Sequence, residues 1–432
     1  MLKTFTLKNG IHVATYNLPN LKSVHLRLAT KGGMLTQKQD GAAHLMEHML
    51  VQGIPFLPTA EEFSSYIESL AGTYGAYTQQ LQVGFEITVP APYLDIAVEI
   101  SAQTFFEPLF KPEALEKERQ VVVTEIKQRL DSKWHKIGEF FQQSRFKKGS
   151  IMTRELGGTV EELERLTLKD LKDLWEKYFV PKNTYLIVVG NFSELKLKEL
   201  LQKHFDKYTS KDPFLGFPKI SKSDFSSEEI SIRHDKTLQS NYLDLTFPGV
   251  TLLDNDLRMK QSLALTTLGR LRNSRLYRLL RYNKGLVYDV RAGSSLLPGL
   301  GYVFVSSEVS KEHLWEVAGL IVAEVADFVK NGPLTEEIEF SKNFLINQWL
   351  MAFDHPSSIA SWLEGELLWE DKIRLPEEIV SEVREIKAKD VWEMMQNNWD
   401  FSKLNLTVQG PLGKTPETVR KFTELIERLK NG

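Results

Sequence analysis

Two stretches in opposite halves of the chain match each other without a gap, and this match constrains the fold more than any other feature. In each stretch a helix pattern runs into an apolar strand that ends on glycine. Two further strand patterns, at residues 24–30 and 241–247, are separated by nearly the same interval. The matching stretches are residues 166–191, L-T-L-K-D-L-K-D-L-W-E-K-Y-F-V-P-K-N-T-Y-L-I-V-V-G-N, and residues 386–411, I-K-A-K-D-V-W-E-M-M-Q-N-N-W-D-F-S-K-L-N-L-T-V-Q-G-P.

This agreement favours an internal duplication. The alternative is a chance likeness of two amphipathic segments, since a helix followed by a strand is a common unit. Because the separate strand patterns agree in spacing as well, we predict an α+β chain of two homologous α/β-sandwich-like domains. The identical pairs are Lys169 with Lys389, Asp170 with Asp390, Leu186 with Leu406, Val188 with Val408 and Gly190 with Gly410.

The length and a change in composition predict where the two domains meet. The chain has 432 residues, which is more than one ordinary core accommodates. Residues 211–228 contain two prolines, one glycine and four serines, a composition typical of a linker. We therefore predict a first domain over residues 1–210 and a second over residues 229–432.

Composition excludes several classes of function. The net charge of -3 gives no general reason to expect nucleic-acid binding. No segment approaches the roughly eighteen apolar residues of a membrane span, and the start of the sequence has no signal-peptide pattern. The chain has no cysteine, so disulfides and thiolate metal sites are excluded. This composition is compatible with the cytoplasm, which we take as the expected location.

The motif H-x-x-E-H at His44, Glu47 and His48 carries the strongest chemical signal. It is the inverted form of the zinc-peptidase helix motif. Residues four apart lie one turn apart on the same helix face, so the two histidines can bind one ion. Glu47 lies on the same side and can take a proton from water. In the alternative interpretation these are ordinary helix-surface residues that match the motif by chance.

A catalytic zinc site needs a third protein ligand, and with no cysteine a carboxylate is expected. The predicted helix from residue 112 offers Glu116, Glu118 and Glu125. Glu118 and Glu125 are two turns apart on one face. The neighbouring basic residues favour solvated surface charges, whereas the valines at 121–123 indicate that part of this helix is buried, where a carboxylate needs a partner.

These motifs resemble the inverted-motif zinc peptidases of the pitrilysin, insulysin and mitochondrial processing peptidase family, in its shorter two-domain branch. In that family H-x-x-E-H is followed by E-x6-E, which Glu118 and Glu125 match. The resemblance implies that Glu125 is the third ligand of one Zn²⁺ per subunit. It implies that Glu118 is a supporting carboxylate that positions groups around the metal.

The second half carries a further part of the resemblance. Residues 281–288, R-Y-N-K-G-L-V-Y, are similar to the family signature in which an arginine and a tyrosine reach into the zinc site. By this likeness Tyr288 donates a hydrogen bond to the developing oxyanion, and Arg281 holds the peptide backbone or that tyrosine. Taken alone, an arginine beside a glycine turn is typical of a surface position.

One segment departs from the family pattern. The family often has Asn-Ala-x-Thr on an edge strand beside the active site, whereas this chain has Gly75, Ala76, Tyr77 and Thr78. The strand can still pair with an extended substrate, because pairing uses main-chain groups. A side-chain hydrogen bond from the first position is lost, which affects substrate positioning and not the metal chemistry.

Together these features predict a zinc metalloendopeptidase that cleaves extended, unfolded peptides. The resemblance also allows a non-catalytic scaffold subunit or an active subunit of a hetero-oligomer. It suggests a homodimer in which His44, Glu47, His48 and Glu125 of one copy meet Arg281 and Tyr288 of the other. Residues 39–110 contain nine carboxylates and no Lys or Arg, so we expect basic peptides to be preferred; the alternative is that these carboxylates face outward.

Overall fold

The computed structural model describes residues 2–209, 216–370, 373–374 and 376–431, which form two compact units. Unit 1 comprises Met1–Leu130, Glu155–Pro218 and Leu350–Leu375, and unit 2 comprises Asp131–Arg154, Lys219–Trp349 and Pro376–Gly432. The strands are β1 (Leu2–Thr6), β2 (His12–Asn17), β3 (Ser23–Lys31), β4 (Thr73–Thr78), β5 (Gln82–Pro90), β6 (Thr184–Gly190), β7 (Ile230–His234), β8 (Asn241–Pro248), β9 (Val287–Leu297), β10 (Leu300–Val309) and β11 (Asn405–Gly410).

Helices account for most of the remaining described chain. Within the described ranges, no helix is both long and apolar enough to cross a bilayer. Two segments, Thr266–Arg270 and Arg278–Asn283, are π-helical. The α-helices are α1 (Ala42–Leu50), α2 (Ala60–Ser69), α3 (Leu94–Phe106), α4 (Pro112–Asp131), α5 (Lys133–Arg145), α6 (Val160–Arg165), α7 (Leu168–Tyr178), α8 (Glu194–Phe205), α9 (Asn255–Leu265), α10 (Arg275–Tyr277), α11 (Leu314–Asn331), α12 (Thr335–Ala352), α13 (Pro356–Trp369), α14 (Pro376–Glu385), α15 (Ala388–Asn398) and α16 (Pro416–Asn431).

The sheet of unit 1 has the strand order β1-β2-β6-β3-β5-β4, so β1 and β4 form its edges. Strands β2 and β6 run parallel, and the other neighbouring pairs are antiparallel. One face packs against α1 and α3 in the main core, and the other packs against α13. Every residue of β6 is buried, as expected of a central strand that is covered on both faces.

The sheet of unit 2 repeats this topology. Its order is β7-β11-β8-β10-β9, with β7 and β11 parallel and the other neighbouring pairs antiparallel. Strands β2 to β6 therefore correspond to β7 to β11 in chain order, in position and in direction, and β1 is an additional edge strand of unit 1. The segments matched in the sequence, in β3 with β8 and in β6 with β11, occupy equivalent places. The predicted α+β fold with an internal duplication is confirmed.

Each unit includes one helix from the opposite half of the chain. Helix α5 belongs to unit 2, where it packs on β8 and β11, and α13 belongs to unit 1, where it packs on β3 and β6. Both helices directly follow a long helix, α4 or α12. The predicted domains, residues 1–210 and 229–432, are continuous halves of the sequence, whereas each compact unit also contains a segment from the other half. The functional division into such domains stays a prediction.

Part of the predicted linker lies inside a packed region. Of residues 211–228, residues 211–215 lie outside the described residues. Farther along, Phe225 is 1% exposed and forms an isolated β-bridge with Phe146. The composition of this segment predicted a linker, and its residue Phe225 contributes to the packing of unit 2.

Two segments in the first half of the chain adopt the local structures that their sequence patterns predict. The Asn9-Gly10 pair connects β1 to β2, and Gly10 adopts a φ of 101°, which L side chains rarely reach. The long helix pattern over residues 112–143 is broken where α4 ends at Asp131 and α5 begins at Lys133. This break divides the two units, because α4 lies mainly in unit 1 and α5 in unit 2.

Candidate metal centre

The start of α1, the helix that carries H-x-x-E-H, is fixed by a glycine and a glutamine. Gly41 has a φ of 83°, and a Cβ there would lie 2.7 Å from a methyl group of Leu163. The Gln37 side-chain oxygen accepts a hydrogen bond from the Ala43 amide at 2.9 Å, which satisfies one of the free N–H groups of the first turn. The Gln37 amide group donates to the Leu156 carbonyl at 2.6 Å. These contacts set where the helix begins and thus which way its histidines face.

The two sides of α1 have different roles. Its apolar side chains are buried in the core of unit 1, while His44, Glu47 and His48 are only half-buried. The helix is therefore anchored on one side and presents its three motif residues together on the other. The buried residues of α1 are Ala42, Ala43, Leu45, Met46, Met49 and Leu50.

Helix α4 supplies the carboxylates. Val122 and Val123 are buried, as predicted, but Val121 is 39% exposed. Glu118 is also buried, whereas the side chain of Glu125 is 46% exposed. The helix thus places one carboxylate in the protein interior and the second at its boundary.

The structure brings His44, His48 and Glu125 together. One ligand atom from each residue lies within 4.8 Å of the other two, which is compatible with coordination of a single ion. Glu125 Oε2 is 3.6 Å from His44 Nε2 and 3.7 Å from His48 Nε2. The two imidazole rings are 5.0 Å apart and nearly perpendicular. The residues that the sequence analysis proposed as ligands therefore converge on one point.

Glu118 lies behind this cluster. Its Oε2 is 3.0 Å from His48 Nδ1, on the opposite side of the imidazole from the nitrogen that faces Glu125. A proton on Nδ1 that is donated to Glu118 leaves the Nε2 lone pair free to bind a metal. The neighbouring Arg119 donates to the carbonyls of Leu163 and Leu166, which fixes this part of α4.

Glu47 lies beside the cluster and next to β4. Burial raises the pKa of Glu47, and a hydrogen bond from Thr78 and the nearby His48 partly offset this rise. The Thr78 hydroxyl also lies 3.2 Å from the Ala43 carbonyl, so β4 is tied to α1 at this point. The sequence analysis proposed Thr78 as part of a substrate-binding strand and missed its contact with Glu47.

The same burial acts on the histidines. Burial lowers the pKa of His44, with a further decrease from His48 and Arg129 and an opposing effect of Glu125. His44 therefore favours its neutral form, and neutral imidazole is the form that binds metal ions. Arg129 lies in α4, one turn beyond Glu125, and was not identified from the sequence.

Strand β4, which contains Gly75, Ala76, Tyr77 and Thr78, is an edge strand of the unit 1 sheet. Its outer edge has no partner strand within the described residues. A peptide could therefore add to this edge through main-chain hydrogen bonds. The role of these four residues in substrate binding stays a prediction.

Behind β4 lies an ionic network that the sequence analysis missed. Arg27, at the centre of β3, contacts the carboxylates of Glu86 and Glu364, and its guanidinium lies 4.1 Å from the ring centroid of Tyr77. The Tyr77 hydroxyl donates to Glu364. An arginine in the middle of an apolar strand pattern was the available signal, because a buried charge requires a partner.

Arg281 and Tyr288 contact each other in unit 2. Arg281 lies in the π-helical segment before β9, where its guanidinium is 5.3 Å from the ring centroid of Tyr288 and donates to the Val287 carbonyl at 3.3 Å. Tyr288 is 81% exposed. Both side chains are thus positioned as a pair at the start of an edge strand, and their proposed roles at the zinc site stay predictions.

Comparisons with known proteins agree with this geometry. The model of the insulinase family, peptidase family M16, matches residues 12–159, and the model of the M16 inactive domain matches residues 165–345. An uncharacterized zinc protease of Bacillus subtilis, YmxG, is 24% identical over 394 residues, which cover 90% of this chain and 94% of that protein.

Solved structures agree in fold. The crystal structure of a peptidase M16 inactive domain from Pseudomonas fluorescens has a TM-score of 0.85 at 18% identity and covers 96% of this chain and 98% of its own. A Helicobacter pylori protease has a TM-score of 0.83 at 20% identity, with 95% and 99% covered. Two family models that together span most of the sequence, relatives named as zinc proteases and the cluster in unit 1 lead to one assignment: the chain belongs to peptidase family M16.

Proposed function

We propose that this protein is a zinc metalloendopeptidase that cleaves extended, unfolded peptides. The observation that carries the proposal is the convergence of His44, His48 and Glu125 within 4.8 Å, with Glu47 on the same helix as the two histidines. Two imidazoles and one carboxylate are a donor set typical of catalytic zinc, which keeps a further position for water or substrate.

Each residue of the site would have a separate role in catalysis. When bound, zinc supplies Lewis-acid chemistry that lowers the pKa of water and polarises a peptide carbonyl. Glu47 accepts the proton of the attacking water and passes it to the leaving amine, and its burial, which raises its pKa, suits it to both transfers. Glu118 holds His48 in the tautomer that binds metal through Nε2.

The substrate would bind along the edge strand β4. Thr78 at the end of this strand contacts both α1 and Glu47, so a peptide paired with β4 would lie next to the presumed base. Pairing through main-chain groups tolerates many sequences and requires an extended substrate. This supports unfolded peptides, rather than folded proteins, as the substrate class.

The rival interpretation is a non-catalytic scaffold subunit of the same fold. A scaffold has no need for metal ligands, whereas here the three ligands, the base and the supporting Glu118 lie together. We therefore favour the enzyme, since fold alone does not decide function.

The decisive experiment separates metal binding from the base. Glu47→Gln should retain zinc, measured by emission spectrometry, because all three ligands remain, and should lower peptide hydrolysis by about 10²–10⁴-fold. Glu61→Gln, an exposed position of α2 with the same loss of charge, is the matched control and should keep wild-type activity. Hydrolysis by Glu47→Gln at the wild-type rate would rule out this mechanism.

We further propose a homodimer with shared sites, in which Arg281 and Tyr288 act on the metal centre of the partner copy. The family resemblance supports a shared site, and the exposure of Tyr288 leaves this side chain accessible to a partner. A homodimer is favoured over a heterodimer with a related chain because one chain carries both halves of the site. Glu47→Gln and Arg281→Ala, each nearly inactive alone, should regain activity after unfolding and refolding together, because one site per mixed dimer is intact. Mixed dimers that form but stay inactive would contradict the shared site.

A further inference from the structure

We propose that Gly75 and Glu86 form a specificity site that selects a lysine or arginine side chain of the peptide bound along β4. The inference deepens the proposed peptidase function and rests on it. All residues involved lie in unit 1, on the face of the sheet opposite to α1.

The pairing of the strands places these residues side by side. Gly75 of β4 pairs directly with Glu86 of β5, which in turn pairs with Arg27 of β3. Directly paired residues point to the same face of a sheet, and successive residues alternate between faces. Thr78 contacts α1, so Gly75, three positions earlier, points to the opposite face. A peptide residue that pairs with Gly75 would point to this face as well.

Gly75 leaves open space beside β4, although its backbone conformation does not require a glycine. It is not among the positive-φ residues, and an added Cβ would meet only the Glu86 Cγ, at 4.0 Å. A larger residue would therefore fit at this position without strain. A glycine within a strand weakens it and often marks a place where a ligand approaches closely. Here the consequence is an unobstructed path over β4 from the peptide to the Glu86 side chain.

The Glu86 carboxylate has negative charge available at this opening. Arg27 is its cationic partner, but Arg27 also binds Glu364, so one guanidinium serves two carboxylates. The side chain of Glu364 is 3% exposed and that of Glu86 is 34% exposed. Burial raises the pKa of Glu364, whereas its contacts with Arg27 and Tyr77 oppose that rise. The accessible member of this network is therefore Glu86.

Neighbouring bases do not neutralise it. His25 Nε2 is buried, has no hydrogen-bond partner within the described residues and lies 3.8 Å from Glu86 Oε2. Burial lowers the pKa of His25 to about 4, so the ring is neutral near pH 7. Farther along β3, the Lys31 amine lies over the rings of Tyr185 and Trp369. An incoming cation would supply a second positive charge for Glu86 and Glu364, which share the single guanidinium of Arg27.

The distance suits a long basic side chain. Adjacent strands are spaced by about 4.8 Å, so a peptide residue opposite Gly75 has its Cα about 10 Å from that of Glu86. The side chains of Lys or Arg on one side and Glu on the other together span this gap. An acidic side chain would be repelled, and a short one would leave Glu86 in water.

The test uses quenched-fluorescent peptides whose other residues are uncharged. Lysine, norleucine or glutamate is placed at each position in turn, and hydrolysis is measured at low salt. At one position the wild-type enzyme should prefer lysine over norleucine by about fivefold in kcat/KM, the size of one partly exposed ion pair. In Glu86→Gln this ratio should fall to about one. Gly75→Val, which closes the path without altering charge, should lower it as well.

The control and a second readout keep the outcomes separate. Glu61→Gln removes the same charge from α2 and should leave the ratio unchanged, since it acts only through the general field. The peptides are also titrated against zinc-loaded Glu47→Gln by fluorescence anisotropy, so preference is measured without hydrolysis. Lack of hydrolysis by the wild type contradicts the proposed function alone. Equal affinities for lysine and norleucine peptides, or an equal loss in Glu61→Gln, overturn the specificity site.

Discussion

Units 1 and 2 share one strand topology, yet the buried ion pair between the central strand and a covering helix has opposite polarity in the two units. In unit 1 the central strand β3 supplies Arg27, and α13 supplies Glu364. In unit 2 the equivalent strand β8 supplies Asp244, and α5 supplies Arg145, with two contacts of 2.8 Å. The positions correspond, because Arg27 pairs with residue 187 and Asp244 with residue 407, which the sequence match already equated. The duplicated fold keeps a buried ion pair at this place but not its polarity.

An aromatic–glycine pair is inverted in the same way. In unit 1 the ring of Tyr77 on β4 covers Gly84 on β5. In unit 2 the ring of Phe304 on β10 covers Gly293 on β9. Each pair consists of directly opposed residues on the outer two strands of its sheet. In each unit one aromatic ring thus lies beside the arginine of the ion pair, and the two units supply it from different strands.

The candidate metal centre of unit 1 has a counterpart in unit 2, where the described residues include no comparable cluster of histidines and carboxylates. Arg119 donates to the Leu166 carbonyl, and Lys342 donates to the Ile386 carbonyl, at positions that the sequence match equates. In each unit, the residue that precedes this Arg or Lys in the sequence contacts the helical segment that follows the central strand. In unit 1 this contact joins Glu118 to His48, and in unit 2 it joins Ser341 to Thr267 at 2.9 Å. The hydrogen bond is present in both units, but among the described residues only unit 1 places a candidate metal-binding cluster beside it.

The largest effect expected from this comparison is on zinc binding and, through it, on peptide hydrolysis. Glu125→Gln should abolish zinc binding and lower hydrolysis by more than about 10²-fold, because removal of a ligand leaves two imidazoles. By its position in α12, Gln348 is the counterpart of Glu125, and Gln348→Ala should retain zinc and activity. Metal analysis and a peptide assay on both variants measure the contrast. Stoichiometric zinc in Glu125→Gln would show that the ligand set is wrong.

The buried ion pairs should have the next largest effect. Asp244→Asn leaves the Arg145 guanidinium without its carboxylate partner and should lower the free energy of unfolding by about 3–5 kcal/mol. The double variant Arg145→Asp with Asp244→Arg imitates the polarity of unit 1 and should recover part of that loss. Urea unfolding at neutral pH measures all three proteins. A double variant less stable than Asp244→Asn would show that polarity is fixed by the surroundings.

The smallest expected effect is on stability, and it concerns Lys342 and Arg119, which donate hydrogen bonds to main-chain carbonyls. Lys342→Met leaves the carbonyls of Arg384 and Ile386 without this donor and should cost about 1–3 kcal/mol. Arg119→Lys copies the residue of unit 2 and should cost less than Arg119→Met, since a lysine can still reach a carbonyl. Equal losses in both Arg119 variants, measured by urea unfolding, would mean that the fork of the arginine is essential there.

The sequence by itself determined features that depend on neighbouring residues along the chain. The spacing of His44 and His48 fixes their common face, because helix geometry is local. The glycine-ended strands and the helix break at Asp131 follow for the same reason. The valines at 121–123 also predicted that part of α4 is buried, although Val121 is exposed, since one helix face cannot include three consecutive residues.

Only the tertiary structure decided which distant segments meet. Helix α13 packs on the unit 1 sheet and α5 on that of unit 2, an exchange that no local pattern encodes. The contact of Arg27 with Glu364 depends on that exchange. The contact of Thr78 with Glu47 depends on the packing of α1 beside β4. Sequence periodicity shows that a side chain is buried. Its partner is set by packing and by the need to compensate charge in the interior, which bring together residues as far apart in sequence as Arg27 and Glu364.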